Sequence, residues 1–320
     1  MKADLLNAAA LGVALAAAML GALWQEGEPL DVDANVIAAM PAAPGATELT
    51  DARGKTIAVK DYQRIASLNT VADHVLLHLV EPDRLIGITG YTADTHPEQW
   101  RFGERPGVSR SDQIEEILSL RPELVVTSKF ADEAFMSRLR EAGIAVFDLG
   151  EMRGVQTTLQ NIRTLGALLD QRERAAALER RYLRELAALD AAVPDEQMPA
   201  GIYLSVYGDS YFGGSSGSSY ADMLRYAGVR DLAAEHGYRE WPRYSPEQLL
   251  AMDPTLIITQ QDMGAVICRH SVLRDLAACD KGGRVIEVPG TYHSDPGLGL
   301  VEAAAGILAL VHPDRAIVTP

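Results

Sequence analysis

The feature that most constrains this chain is an internal repeat. Residues 113–127 (QIEEILSLRPELVVT) align without gaps with residues 245–259 (SPEQLLAMDPTLIIT). Each copy has the pattern of a short helix, a proline that stops it, and an apolar run with the composition of a buried strand. Two copies of one helix–turn–strand unit predict two similar α/β lobes rather than one continuous core.

The rest of the chain continues this alternation of strand and helix. Strand-like and helical runs alternate from residue 64 to residue 149, and residues 201–316 follow the same style. Such alternation predicts parallel strands with helices on both faces. At 320 residues the chain also exceeds the size that one core usually organises. We therefore predict an α/β fold of two Rossmann-like lobes with parallel-rich sheets and a ligand cleft between the lobes.

The segment between the two halves has a strong helical pattern. Residues 154–193 contain no proline and, beyond Gly154, a single glycine, Gly166. Their apolar residues recur at helical spacing. One uninterrupted helix of this length would run roughly 55 Å, so we predict one long backbone helix that joins the lobes. The alternative is two helices broken near Asp170, whose charged surroundings suit either arrangement.

The N-terminus predicts export. An apolar run over residues 5–24 follows Lys2, and its length and composition suit a signal peptide or an uncleaved membrane anchor. Residues 25–47 are rich in alanine and proline and are predicted to form a linker. We place the N-terminal lobe at residues 48–152, the bridging helix at 153–194 and the C-terminal lobe at 195–320. The bulk of the chain is then expected in the periplasm, with or without an anchor.

Charge and cysteine content narrow the partners and the compartment. A formal net charge of -15 at pH 7 argues against nucleic acid as a partner, because phosphates would be repelled. The two cysteines, Cys268 and Cys279, flank a short helical stretch and form a possible disulfide in an oxidising compartment. Two free, partly buried thiols are the equal alternative. We expect a monomer without a resident cofactor or metal.

Several segments together resemble one known family. They are RIASLNTVADHVLLHLVEPDRLIGIT at residues 64–89, the two repeat units, WPRYSPEQLLAMDPTLIIT at 241–259 and GGRVIEVPG at 282–290. The chain resembles, over about residues 49–314, the periplasmic binding proteins with a single helical backbone. That family serves importers of ferric siderophores, haem and cobalamin. The resemblance implies a binding protein, not an enzyme, that delivers its ligand to an ABC transporter permease in the cytoplasmic membrane.

The resemblance also implies two docking residues. In that family one glutamate on each lobe contacts arginines of the permease, and the matching positions here are Glu115 and Glu247, which the internal repeat already pairs. Two carboxylates on separate lobes would set the orientation of the protein on its partner. The alternative is that each is a helix N-terminal acid that interacts with the helix dipole.

Ligand contacts in that family come from loops at the carboxyl ends of strands, where open α/β sheets bind ligands. The expected contacts here are Asn69, Thr70, Tyr91, Arg110, Tyr207, Tyr211, Trp241, Arg243 and His293. Trp241 is the strongest of these candidates. The alternatives are helix capping for Asn69 and Thr70, lobe packing for the aromatic rings, and a solvent-exposed His293.

The expected ligand is a ferric siderophore first, then cobalamin or another corrinoid, then haem. A bare zinc or manganese receptor would need three or four His, Asp or Glu ligands converging from both lobes. An exported enzyme is the remaining alternative, but the sequence has no HExxH or P-loop motif, and we interpret the Gly/Ser loop at residues 213–219 as a flexible turn beside the cleft. A membrane-anchored sensor with the same fold would share every one of these sequence features with an importer binding protein and would differ only in its partner. A central segment folded back as a hairpin, or Glu115 and Glu247 turned toward opposite ends of the molecule, would rule out the transport assignment.

Overall fold

The computed structural model describes residues 45–95, 99–108, 114–194, 198–280, 282–290, 292 and 297–315. The predicted signal or anchor segment, nearly all of the predicted linker, Arg110 and His293 lie outside this range. Within it, no helix combines the length and the apolar character needed to cross a membrane.

The N-terminal lobe is built around a five-stranded parallel sheet. A small antiparallel pair, β1 (Glu48–Thr50) and β2 (Thr56–Ala58), precedes it. The sheet strands are β3 (Ile65–Ser67), β4 (Leu85–Thr89), β5 (Gly107–Val108), β6 (Leu124–Thr127) and β7 (Ala145–Asp148). Their order is β5-β4-β3-β6-β7, and every neighbouring pair is parallel. The connecting helices are α1 (Thr70–Leu79), α2 (Gly90–Thr95), α3 (Ile114–Leu120) and α4 (Glu133–Glu141). All four residues of β6 are buried, as expected for a strand covered on both faces.

The segment between the lobes is a helical hairpin, so the prediction of one uninterrupted helix is wrong. Its helices are α5 (Val155–Leu168) and α6 (Arg172–Ala192). The turn places Asp170 at a φ of 54°, and the Gln171 N–H donates to the Gly166 carbonyl oxygen at 2.7 Å. Aspartate tolerates this left-handed conformation better than most residues, which is why the helix ends where the alternative placed the break.

The hairpin nevertheless spans both lobes. In α5, Ile162 and Leu165 lie in the core cluster of the N-terminal lobe, whereas Val155 and Leu159 lie in that of the C-terminal lobe. The residues of α6 divide in the same way: Ala175 and Leu178 pack on the N-terminal side, and Tyr182, Leu186 and Leu189 on the other. The 21 residues of α6 extend about 32 Å, enough to cross from one core to the other. The bridging role thus belongs to two antiparallel helices.

The C-terminal lobe contains a six-stranded mixed sheet. Its strands are β8 (Ala200–Tyr207), β9 (Ser210–Gly214), β10 (Arg230–Asp231), β11 (Arg243–Tyr244), β12 (Leu256–Gln260) and β13 (Arg284–Val288). The order is β11-β9-β8-β12-β13, with β10 beside β8. Strands β8, β12 and β13 are parallel, while β9 is antiparallel to both β8 and β11. The helices are α7 (Ser219–Tyr226), α8 (Leu232–Glu235), α9 (Pro246–Met252), α10 (Gly264–Arg269) and α11 (Leu300–Val311). The fold class is therefore confirmed as α/β with two lobes.

The internal repeat forms the same structure twice. Helix α3 leads into β6, and α9 leads into β12. The turn in each copy places the residue before its proline in the left-handed region, with a φ of 47° at Arg121 and 42° at Asp253. Each helix connects two parallel strands, so it starts at the carboxyl edge of its sheet. Equivalent residues of the repeat therefore lie at equivalent edges of the two lobes.

The two cysteines form a disulfide. Cys268, in α10, is bonded to Cys279, with the two Cα atoms 5.4 Å apart. Both residues pack against a second hydrophobic cluster of the C-terminal lobe, which we call the outer core and which includes Ile267 and Leu276. The structure therefore contains the disulfide and not two free thiols.

Candidate functional site

A cleft of about 360 Å³ opens at the carboxyl edge of the N-terminal sheet. Its lining comes from residues that end or directly follow β3, β4, β5 and β6, together with the start of α4. These residues are Leu68, Thr89, Gly90, Tyr91, Val108, Thr127, Ser128, Phe130, Ala131 and Phe135. The loops of parallel strands converge at this edge, which is the reason ligands bind there in open α/β sheets.

Two aromatic side chains form the most exposed part of the wall. Tyr91, one of the expected contacts, is 39% exposed, and Phe130 is 75% exposed. Sequence reasoning missed Phe130 and its neighbour Ser128. Both follow β6 directly, so the carboxyl-end rule that selected Tyr91 after β4 would also have selected them.

A buried carboxyl group lies directly behind the cleft wall. Oδ2 of Asp73 accepts hydrogen bonds from the Thr89 backbone N–H at 3.1 Å, from Thr89 Oγ1 at 2.6 Å and from Thr92 Oγ1 at 2.7 Å. Burial raises the pKa of Asp73 to about 7, and hydrogen bonds from Ser67, Thr89 and Thr92 oppose that rise. Asp73 thereby holds the turn between β4 and α2, which carries Tyr91.

The structure places Asn69 and Thr70 at the start of α1. Asn69 is buried and caps this helix: its Oδ1 accepts from the Ala72 N–H at 2.9 Å, and its Nδ2 lies 2.8 Å from Met152 Sδ. Thr70 is the first residue of the helix and is half-buried. The capping alternative thus accounts for Asn69, and ligand contact by Thr70 stays a prediction.

The two tyrosines of the β8–β9 hairpin have different surroundings. Tyr207 is 63% exposed, and its hydroxyl accepts from Gln260 Nε2 at 3.3 Å. Tyr211 is 4% exposed and packs its ring 5.9 Å from that of His270 inside the outer core. The packing alternative therefore describes Tyr211, while Tyr207 remains available to a ligand.

Trp241 and Arg243 lie on either side of Pro242, in and just before β11. Arg243 is exposed; it donates to Ser210 Oγ at 2.8 Å and stacks over Phe212 at 5.9 Å. Trp241 is 40% exposed, and its ring centre lies 5.8 Å from Nζ of Lys129, which follows β6 in the other lobe. The strongest predicted contact is thus brought next to the N-terminal lobe.

A chain of ion pairs connects the same two lobes. Lys129 Nζ lies 2.7 Å from Glu151, which also pairs with Arg153, and Arg153 Nη1 lies 2.9 Å from Glu240. Partial burial alone would raise the pKa of Glu151, but hydrogen bonds from Arg153 and Lys129 hold that pKa below its ordinary value. Each cation in this chain is matched by a carboxylate, so the group carries no net charge.

The two predicted docking residues are exposed at matching positions. Glu115 lies in the first turn of α3, and Glu247 lies in the first turn of α9. A hydrogen bond with Ser245 lowers the pKa of Glu247, so its carboxylate stays ionised near neutral pH. Both helices start at the carboxyl edge of their sheets. Docking through these residues stays a prediction, and a favourable interaction with the helix dipole is compatible with it.

Across the described ranges, no group of three or more His, Cys, Asp or Glu side chains is arranged to hold a metal ion.

Comparison with known proteins yields one family and two kinds of relative. The family model described as periplasmic binding protein matches residues 65–289. A cobalamin-binding protein of Halobacterium salinarum is 25% identical over 258 residues, which cover 78% of this chain and 69% of that protein. A vitamin B12-binding protein of Salmonella typhimurium is 26% identical over 183 residues, which cover 57% of this chain and 67% of that protein.

Solved structures share the fold. The periplasmic haem-binding protein RhuT of Roseiflexus sp. RS-1, in its apo form, superposes with a TM-score of 0.68 at 22% identity, over 80% of this chain and 99% of that one. A periplasmic haem-binding protein of Pseudomonas aeruginosa gives a TM-score of 0.65 at 22% identity, over 79% and 94% of the two chains. With a family model that matches most of its length, this chain belongs to the periplasmic binding protein family.

Proposed function

We propose that this chain is the extracytoplasmic ligand-binding component of an ABC importer. It takes a small-molecule ligand at the carboxyl edge of the N-terminal sheet and delivers it to a permease in the cytoplasmic membrane. The observation that carries the proposal is the cleft bordered by Tyr91 and Phe130, which Lys129 links to Trp241 of the other lobe. Clefts between lobes are where such folds hold ligands.

The ligand we propose is a corrinoid, ahead of the ferric siderophore that sequence analysis placed first. Exposed aromatic rings suit a large conjugated chelate, because stacking buries a wide apolar area. Beside the cleft, Lys129 and Arg153 are each paired with a carboxylate, whereas Arg243 next to Trp241 contacts Ser210 and Phe212. The two pairings reduce the positive charge that a highly anionic ferric catecholate would need. The names of the Halobacterium and Salmonella relatives support the same choice.

Export and membrane contact complete the proposal. Residues 1–24 act as a signal peptide or as an anchor that keeps the protein at the outer face of the cytoplasmic membrane. Glu115 and Glu247 dock on basic residues of the permease. Sequencing the N-terminus of the protein recovered from cells distinguishes cleavage from anchoring.

The test is a calorimetric titration of the full-length protein with cyanocobalamin, a ferric siderophore, haem, zinc and manganese. We expect cyanocobalamin to bind with micromolar or tighter affinity. Trp241→Ala should weaken that binding about tenfold, since it removes one stacking face. Trp100→Ala is the matched control, because Trp100 is 75% exposed and is not one of the rings that lie beside Lys129 at the border of the cleft.

The outcomes separate the alternatives. Binding of the siderophore without cyanocobalamin would return the assignment to the order that the sequence suggested. Binding of zinc or manganese alone would make the chain a metal-ion receptor. If none of the probes binds, the importer role itself is contradicted.

A further inference from the structure

The ammonium group of Lys129 lies within cation–π distance of two aromatic rings that belong to different lobes. Its Nζ atom is 5.3 Å from the ring centre of Phe130 and 5.8 Å from that of Trp241. Both distances lie within the range of about 6 Å in which a cation is attracted to an aromatic face. We call these three residues the ammonium clamp. Phe130 lines the cleft, so the clamp stands at its border.

Neighbouring charges hold the clamp in place. The Glu151 carboxylate accepts a hydrogen bond from Lys129 Nζ at 2.7 Å and also pairs with Arg153. Arg153 in turn pairs with Glu240 at 2.9 Å, and Glu240 directly precedes Trp241. The Glu240 N–H donates to the Ser216 carbonyl oxygen at 2.9 Å, which fixes the loop that carries Trp241. Both sides of the clamp are therefore positioned by one ion-pair chain.

The clamp keeps room and hydrogen-bonding capacity for a ligand. A lysine ammonium has three N–H donors, and the described contact with Glu151 uses one of them. The Lys129 side chain is 34% exposed, and the rings of Phe130 and Trp241 are 75% and 40% exposed. A group that fits all three residues has a flat conjugated face for the rings and acceptor oxygens at its edge for the ammonium.

We propose that Lys129 is a specificity-determining ligand contact that selects conjugated macrocycles with carbonyl or carboxylate oxygens at their periphery. The inference rests on the proposed function, because it assigns a discriminating role to the same cleft. Phe130 and Trp241 supply stacking area that any flat ligand can use. Lys129 adds a charge-assisted hydrogen bond that only an oxygen-edged ligand can accept. Glu151 acts through Lys129 as a positioning residue.

The experiment compares two probes in the full-length protein. Cyanocobalamin has carboxamides at the edge of its macrocycle, and zinc octaethylporphyrin has a conjugated face without peripheral oxygens. Lys129→Met should lower the affinity for cyanocobalamin about tenfold and leave that for the porphyrin unchanged. Lys129→Arg should keep the wild-type ratio of the two affinities. Lys129→Gln, which still offers Glu151 a donor, replaces Lys129→Met if that variant fails to fold.

The chain offers a matched control in Lys60, whose Nζ lies 4.6 Å from the Tyr62 ring centre, a ring that is not part of the ammonium clamp. Lys60→Met should change neither affinity. If Lys129→Met and Lys129→Gln retain the wild-type ratio while cyanocobalamin still binds, the role of Lys129 is overturned and the proposed function stands. If the wild-type protein binds neither probe, the proposed function and the role of Lys129 fall together.

Discussion

The protonation of Asp73, behind the cleft wall, should make the stability of the folded protein depend on pH. Hydroxyl and backbone donors from Ser67, Thr89 and Thr92 surround its carboxyl group, and the neighbouring His74 packs on Phe102. Burial without a compensating cation disfavours the charged form. The protonated carboxyl group is therefore the more stable state of the folded protein below about pH 7.

The stability of the protein should therefore depend on pH through Asp73. Its folded-state pKa of about 7 lies above the ordinary value of 3.8, so the folded protein binds the proton more tightly than the unfolded chain. The contribution of Asp73 is fully present below about pH 4 and is lost as the pH rises to about 7. Asp73→Asn stays neutral and should be more stable than wild type above pH 7, by at most about 4 kcal/mol.

The measurement is urea unfolding of both proteins from pH 4 to pH 8. The difference in unfolding free energy should grow through that window and then level off. Two parallel pH curves would show that Asp73 does not titrate there.

At this scale the sequence predicted positions better than orientations. It placed Tyr91 and Tyr207 near the carboxyl ends of strands, and the structure has both exposed there, while Trp241 is exposed just before β11. Tyr211 was assigned the same role, yet its partner in the β8–β9 ladder is Val206 and its ring points into the core. Which face a strand residue occupies depends on the register of pairing, and one residue of shift reverses it.

The elements of the fold were predictable where the chain pairs short helices with strands. The helical hairpin was not, because a periodic apolar pattern is the same for one long helix and for two helices joined by a tight turn. The turn is marked by Asp170, which adopts a positive φ, and by Gly166, which lets the facing helix come close at Ala175. Neither residue type reliably ends a helix. We also expected a hairpin to rule out the transport assignment; the family match holds with the hairpin in place, so the hairpin is compatible with a periplasmic binding protein and transport stays a proposal.

Gly166 should be required for the hairpin. A Cβ atom at this position would lie 2.2 Å from Cβ of Ala175 in the facing helix. Helix propensity alone favours Gly166→Ala by about 1 kcal/mol, but the steric overlap opposes it. We expect a loss of about 1–3 kcal/mol in the free energy of unfolding, measured by denaturant titration.

The double variant Gly166→Ala with Ala175→Gly restores the space between the helices. It should recover most of the stability that Gly166→Ala loses. A stabilised Gly166→Ala protein would mean that the helices are farther apart than described.

For the whole molecule, the repeat predicted most of the architecture. Two copies of one unit meant two lobes, and their equivalence paired Glu115 with Glu247, which the structure has in the first turns of α3 and α9. The repeat could not predict the contact between the lobes, because the Arg153–Glu240 ion pair and the Lys129–Trp241 cation–π contact join loops that are distant in sequence. Contacts between residues so far apart in the chain leave no local sequence pattern from which they could be predicted.

The two glutamates should act together in docking. The variants Glu115→Lys and Glu247→Lys reverse one charge on each lobe, and each should slow association with the permease about tenfold. Cyanocobalamin affinity should stay unchanged, because neither residue lines the described cleft. The measurement is the rate at which each variant captures a permease that copurifies with the wild-type protein from membranes.

Glu116→Lys is the matched control, since Glu116 is exposed in the same turn of α3. It should associate at nearly the wild-type rate at physiological salt. Equal slowing by Glu116→Lys would indicate a general effect of net charge and would remove the specific role of the two glutamates.

The antiparallel hairpin means that the polypeptide passes between the lobes three times: once before Val155, once along α5 and once along α6. Two rods bound side by side resist twisting more than a lone rod does. Flexing out of their common plane is then the softest mechanical response. We therefore expect relative motion of the two lobes to bend this pair of helices rather than to twist it.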